Sequence, residues 1–154
     1  MKEFWSKRTA AAAVSLALAA MALQLMGPST AISRADPYEA FQSPSRNVYC
    51  AIGHLYDTAY AECEVADHTW AAPPRPATDC TGTYGDRIIL PAGVAPVWRC
   101  HSTTLKDDGV AVLGYGGVRE VDTISCASEG AGMRCTDSAT GHYFVLSRDN
   151  YELH

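Results

Sequence analysis

The chain has 154 residues, six of them cysteine, and sets 17 acidic side chains against 12 basic ones for a formal net charge of -5. Lysine and arginine are sparse, and beyond residue 35 nowhere clustered, which makes nucleic acid and anionic lipid poor partners, because both are bound by neutralising phosphates. The length supports one hydrophobic core of ordinary size and not two.

Residues 1–35 read as a cleaved secretory signal peptide. Lys2, Lys7 and Arg8 make a positive start, Ala10 to Met26 is an apolar run, and Gly27-Pro28 ends it. The expected cut follows Ala35, with Ser33 and Ala35 as the small residues ahead of the bond; a cut after Ala31 is the second choice. The competing reading is an uncleaved anchor, since about 17 apolar residues is near the lower limit for spanning a bilayer. No cysteine follows the run within the signal, so a lipid anchor has no attachment site. Cleavage leaves residues 36–154 as a single disulfide-stabilised β domain with 8 basic and 16 acidic side chains and no stable membrane insertion. An even number of cysteines in an exported domain this small implies a disulfide framework.

Beyond the signal, short alternating segments broken by turn residues predict an all-β fold, a compact sandwich or barrel of about eight short strands. In Asn47–Ile52, Val48, Cys50 and Ile52 share a face, and in Ala59–Val65, Ala61, Cys63 and Val65 do. Placing Cys50 opposite Cys63 sets Val48 against Val65 and Ile52 against Ala61, so every partner falls on the apolar side. A slip of one residue turns that side to solvent. Glu62 and Glu64 flank Cys63 and are expected on the outward, solvated face. Trp70 to Thr78 contains Pro73, Pro74 and Pro76 and lacks three amide donors, which excludes a central strand and predicts an ordered surface crossing.

Tyr84-Gly85-Asp86 reads as a turn, Arg87–Leu90 and Val97–His101 as strands around a Gly/Pro connection, and Val110–Leu113 and Val118–Asp122 as further strands. Ile124–Ser128 and Met133–Asp137 flank Glu129-Gly130-Ala131-Gly132, whose glycines suit positive φ, and Cys126 then faces Cys135. That register pairs Ile124 with Asp137, which makes sense only near a strand end. Tyr143–Ser147 is the last expected strand. Six cysteines permit 15 pairings; hairpin register favours the sequential set Cys50–Cys63, Cys80–Cys100 and Cys126–Cys135. Structural zinc is disfavoured because no two of these cysteines stand two to four residues apart.

No motif carries a reaction. There is no G-x-S-x-G elbow, and Gly114-Tyr115-Gly116-Gly117 lacks the strand, helix and spacing of a phosphate loop. His142 follows a glycine and precedes a strand, which suits a backbone bond better than general-base work; His54, His68 and His101 offer less, and His154 is expected to fray. Asp107-Asp108-Gly109 reads as a turn. Loop aromatics give the best binding cue, because aromatic rings in Pro/Gly-rich segments form contact surfaces. Trp98 belongs to the core on its alternation, so the candidate ligand-binding residues are Trp70, Tyr84, Tyr115 and His142. Catalytic residues, metal and cofactor are all expected to be none.

Phe41-Gln42-Ser43-Pro44-Ser45-Arg46-Asn47-Val48-Tyr49-Cys50, Cys63-Glu64-Val65, Tyr84-Gly85-Asp86 and the close from Cys135 through Gly141-His142-Tyr143-Phe144 to Tyr151 resemble a family of small exported actinobacterial six-cysteine proteins, a domain of unknown function. The Ala35-Asp36-Pro37 junction is similar to mycobacterial export signals. The resemblance puts glycine where this chain has Arg46 and Tyr143, and an arginine at 46 argues against a tight positive-φ turn before the first hairpin strand. The resulting expectation is a secreted, non-enzymatic binding or interaction module at or outside the cell envelope, whose partner is an envelope or extracellular protein or glycan. The alternatives are an envelope-polymer hydrolase and an inhibitor of a secreted hydrolase that presents the Trp70–Thr78 segment.

Overall fold

The computed structural model describes residues 38–76 and 80–154. The export signal, its cleavage site and the anchor alternative lie outside the described residues, as does the end of the proline crossing. What is described is all-β, with eleven strands rather than about eight: β1 Tyr38–Gln42, β2 Val48–Leu55, β3 Thr58–Val65, β4 Arg87–Pro91, β5 Val97–Trp98, β6 Ala111–Val112, β7 Val118–Val121, β8 Ile124–Glu129, β9 Gly132–Asp137, β10 Tyr143–Leu146 and β11 Tyr151–Leu153. They form a six-stranded sheet in the order β5-β4-β3-β2-β1-β6 and a five-stranded sheet in the order β11-β10-β9-β8-β7. The two make a sandwich, not a closed barrel.

The first hairpin has the expected register, with Val48 opposite Val65, Cys50 opposite Cys63 and Ile52 opposite Ala61. The second pairs Cys126 with Cys135 and Ile124 with Asp137. All three sequential disulfides are present, and no cysteine is free. Alternation then supplies the core. Phe41, Val48, Ile52, Val65, Ile88 and Leu90 of the larger sheet meet Ile124, Met133, Phe144 and Leu146 of the smaller one, all buried. Each such side chain contributes about 1.5–3 kcal/mol relative to exposure.

Several expectations give way. β1 and β11 are strands beyond those expected, and they exist because β1 pairs with β2 and with β6, and β11 with β10. Of the two glycines in the β8–β9 turn, only Gly132 takes positive φ, at 143°, and a Cβ there would lie 2.7 Å from the Leu146 carbonyl oxygen. Arg46 does adopt the left-handed conformation, φ 55°. Its amide donates to the Ser43 carbonyl at 2.9 Å and the Ser43 hydroxyl accepts from the Val48 amide at 3.1 Å, so the tight turn survives without glycine. His154 is not frayed: its amide and carbonyl both pair with Tyr143, at 2.9 and 3.0 Å.

The largest departure concerns Glu62 and Glu64, which are buried instead of solvated. They do point away from the core, but residues 101–110 run as a strap over the outer face of the larger sheet, from beside β5 to β6. Gln42 Nε2 donates to the Val110 carbonyl at 2.8 Å, Tyr49 donates its hydroxyl to Asp108 Oδ1 at 2.8 Å, and Glu64 accepts from Thr104 Oγ1 at 2.5 Å and the Leu105 amide at 2.8 Å. Arg87 pairs with Glu64 beneath the strap and donates to the Thr103 carbonyl at 2.6 Å.

Candidate functional site

The strands turn at two ends of the sandwich, and the turns of one end surround a groove. The β1–β2 turn contributes Ser43, Ser45 and Asn47, the start of the β3–β4 connection Asp67, the segment before β7 Tyr115, the β8–β9 turn Glu129 to Gly132, and the β10–β11 turn Ser147 to Asn150. Its volume is about 620 Å³, within the range of small-ligand clefts.

The walls are stiff because their polar groups bond one another. Asn47 Nδ2 donates to the Asp67 carbonyl at 2.8 Å while Asn47 Oδ1 accepts from the Asp67 amide at 3.0 Å, joining two loops. The Ser147 hydroxyl closes its own turn, accepting from the Asn150 amide at 3.0 Å. Arg148 Nε lies 3.3 Å from Asp67 Oδ2. Against that background, the Tyr115 hydroxyl, the Glu129 carboxylate and the Asn150 side-chain carboxamide make no hydrogen bond among the described residues, and Tyr115 is 65% exposed. The charged lining is Asp67, Glu129 and Asp149 against Arg148, so the groove repels anions.

The four candidates read from the sequence are not gathered in one place. Tyr115 lines the groove. Trp70 stands behind it: the half-buried indole donates from Nε1 to the Ser147 carbonyl at 3.1 Å and sits in an aromatic stack, 3.7 Å from the His68 ring, 4.7 Å from Tyr151 and 5.6 Å from Trp98. It fixes the β10–β11 turn and packs the start of the proline crossing. Tyr84 is half-buried in the turn before β4 and does not line the groove. His142 lies at the other end of β10 from Ser147, about 17 Å away at the rise of a strand, with Nδ1 3.2 Å from the His154 carbonyl oxygen. Glu129, Asn150 and Arg148 escaped the sequence reading because turn-forming polar residues carry no periodic signal; Tyr115 was the candidate that pointed to this end.

Two histidines bond carboxylates. His101 Nε2 is 2.9 Å from Asp86 Oδ1 and its Nδ1 is 2.8 Å from the Thr103 carbonyl, so both ring nitrogens are committed. His54 Nε2 is 2.8 Å from Asp122 Oδ2 beside a shallow pocket of about 240 Å³ that includes Glu39 and Glu120. Among the described residues no histidine ring bonds a hydroxyl, the contact that activates a nucleophile. The carboxylates under the strap are also committed. Burial pushes Glu64 upward, but the Thr104 hydroxyl, the Leu105 amide and the Arg87 guanidinium outweigh it and hold the carboxyl below its ordinary range. That is the wrong direction for a glycosidase acid. Glu62 Oε2 stands 3.2 Å from Arg99 Nη1 and 3.9 Å from Arg87 Nη1.

Three buried sulfurs, of Cys63, Cys126 and Cys135, lie within 4.8 Å of one another. They are oxidised in disulfides and therefore are not thiolate ligands.

A family model described as a family of unknown function, DUF6636, matches residues 17–154. No curated protein and no solved structure matches the chain.

Proposed function

Because the chain belongs to the DUF6636 family of unknown function, we propose, from its own residues, that it is a non-enzymatic binding module acting at or outside the cell envelope. Its groove takes a neutral carbohydrate segment. Three disulfides in a domain of this size are consistent with an extracellular location, and the signal-like segment at residues 1–35 supports export of the remainder.

The observation that carries the reading is the set of unpartnered groups on a stiff groove: the exposed Tyr115 ring, Glu129 and Asn150. An aromatic face packs on the C–H side of a sugar ring, while a carboxylate and an amide bond its hydroxyls in both directions. The acidic lining turns away anionic polymers. Rigid walls reduce the ordering cost of association, which suits weak, repetitive polymer contacts.

The test is a titration of the isotope-labelled secreted form with neutral envelope oligosaccharides, followed by amide chemical shifts. Shifts confined to residues 43–47, 115, 129–132 and 147–150, abolished by Tyr115→Ala and by Asn150→Ala, are expected. Saturable shifts elsewhere, or none at millimolar glycan with every sugar class, defeat the proposal.

A further inference from the structure

The core disulfides are neighbours. Cys50–Cys63 joins β2 to β3 and Cys126–Cys135 joins β8 to β9, so each staples one sheet to itself and neither links the two layers. Yet Cys63 Sγ lies 3.8 Å from Cys135 Sγ across the sandwich, at van der Waals contact. Cys63, Cys126 and Cys135 have no solvent exposure; Cys50 has 2%. We propose that these two bonds form a single thiol–disulfide exchange site, in which reduction of one by an exported dithiol moves the other into an inter-sheet Cys63–Cys135 bond.

The chemistry balances as an exchange. The dithiol attacks Cys50 Sγ as its thiolate, forming a mixed disulfide and releasing Cys63 as thiolate. Cys63 attacks Cys135 Sγ, the S–S bond to Cys126 breaks, and Cys126 leaves as thiolate. The second sulfur of the dithiol then displaces Cys50. Two electrons pass from the dithiol, which ends as a disulfide, and its two protons finish on Cys50 and Cys126. Attack at Cys50 is the arm that frees Cys63, and Cys63 turns to Cys135 because that sulfur is already in contact. Burial in an apolar core disfavours the thiolate, so the migration runs on the slow scale of uncatalysed rearrangement, minutes to hours, unless an isomerase supplies the dithiol. The product exchanges a redundant tie within each sheet for one tie between sheets.

The experiment treats the native protein with graded dithiothreitol, quenches with N-ethylmaleimide and maps the peptides. Cys80–Cys100 reduces first, because Cys100 is exposed, and at the next two-electron step the alkylated residues are expected to be Cys80, Cys100, Cys50 and Cys126, with Cys63–Cys135 as the surviving bond. The same treatment in concentrated guanidinium gives the statistical reference. Survival of Cys126–Cys135 or Cys50–Cys63, passage straight to six thiols, or a Cys63–Cys135 yield no higher than in guanidinium overturns the proposal. The variant Cys50→Ala with Cys126→Ala gives a second readout: folded, it is expected to hold a Cys63–Cys135 bond, and two titratable thiols in its place contradict the mechanism.

Discussion

Asp137 is the last residue of β9, has no solvent exposure, and stands at the end of the sandwich opposite the groove. Its Oδ2 accepts from the Gly93 amide at 2.8 Å and the Thr140 hydroxyl at 3.0 Å, and its Oδ1 from the Ala139 amide at 3.0 Å. Gly93 belongs to the connection between β4 and β5, so this carboxylate ties the two sheets together. Burial raises its pKa, but the donors of Gly93, Thr123, Ala139 and Thr140 prevail and bring it down to about 2. Asp137→Asn replaces one acceptor oxygen by an NH₂ facing an N–H. At least one charge-assisted bond is lost and one buried donor is orphaned, for a cost of about 2–4 kcal/mol. The pH dependence has a fixed sign. A folded-state pKa depressed below the unfolded one contributes stability that is fully present above about pH 5 and is lost as pH falls toward 2. The fall from 3.8 to about 2 corresponds to about 2 kcal/mol, so the gap between the native protein and Asp137→Asn narrows by about that much between pH 5 and pH 2. Urea unfolding at several pH values reads both quantities. A variant within about 0.5 kcal/mol of the parent, or a gap that does not move with pH, refutes the assignment.

Glu64→Gln leaves Arg87 buried with only Glu62, 3.9 Å away, as countercharge, and is expected to cost about 3 kcal/mol and to speed amide exchange of Leu105 in the strap. Gly132→Ala, at φ 143° with the Leu146 oxygen 2.7 Å from the added Cβ, is expected to destabilise by more than about 1 kcal/mol, whereas Gly130→Ala, in open space, is not; paired thermal melts compare them. Tyr115→Ala is expected to stay within about 0.5 kcal/mol of the parent in stability, since the ring is exposed, while removing glycan-induced shifts in the groove.

Both hairpin registers were legible because two independent patterns agreed: cysteines that must meet, and apolar residues that must share a side. Where one pattern stood alone, legibility fell. β5 and β6 proved to be two residues long although their segments read as longer strands, since a strand-like segment does not say how far a neighbour extends. Trp70 was open between packing and binding, and the Ser147 carbonyl that receives its indole proton lies 77 residues along the chain. Tyr115 was found as an exposed ring in a glycine-rich segment, but its companions Glu129 and Asn150 come from other turns and announce nothing locally.

Period-two alternation in a chain tells which side chains lie together on one side of a sheet, and with the cysteines that sufficed here for an all-β sandwich or barrel, its two central hairpins and its cross-links. It does not tell what lies over the second side. Glu62 and Glu64 take the outward positions that alternation assigns, yet they are buried because residues 101–110 cross above them. Asp137 is buried because a connection from the other sheet reaches it, and the groove exists because five segments distant in sequence turn at the same end. Those outcomes depend on contacts between remote segments, which form only when the whole core closes, and no window of the sequence short enough to show a period contains them.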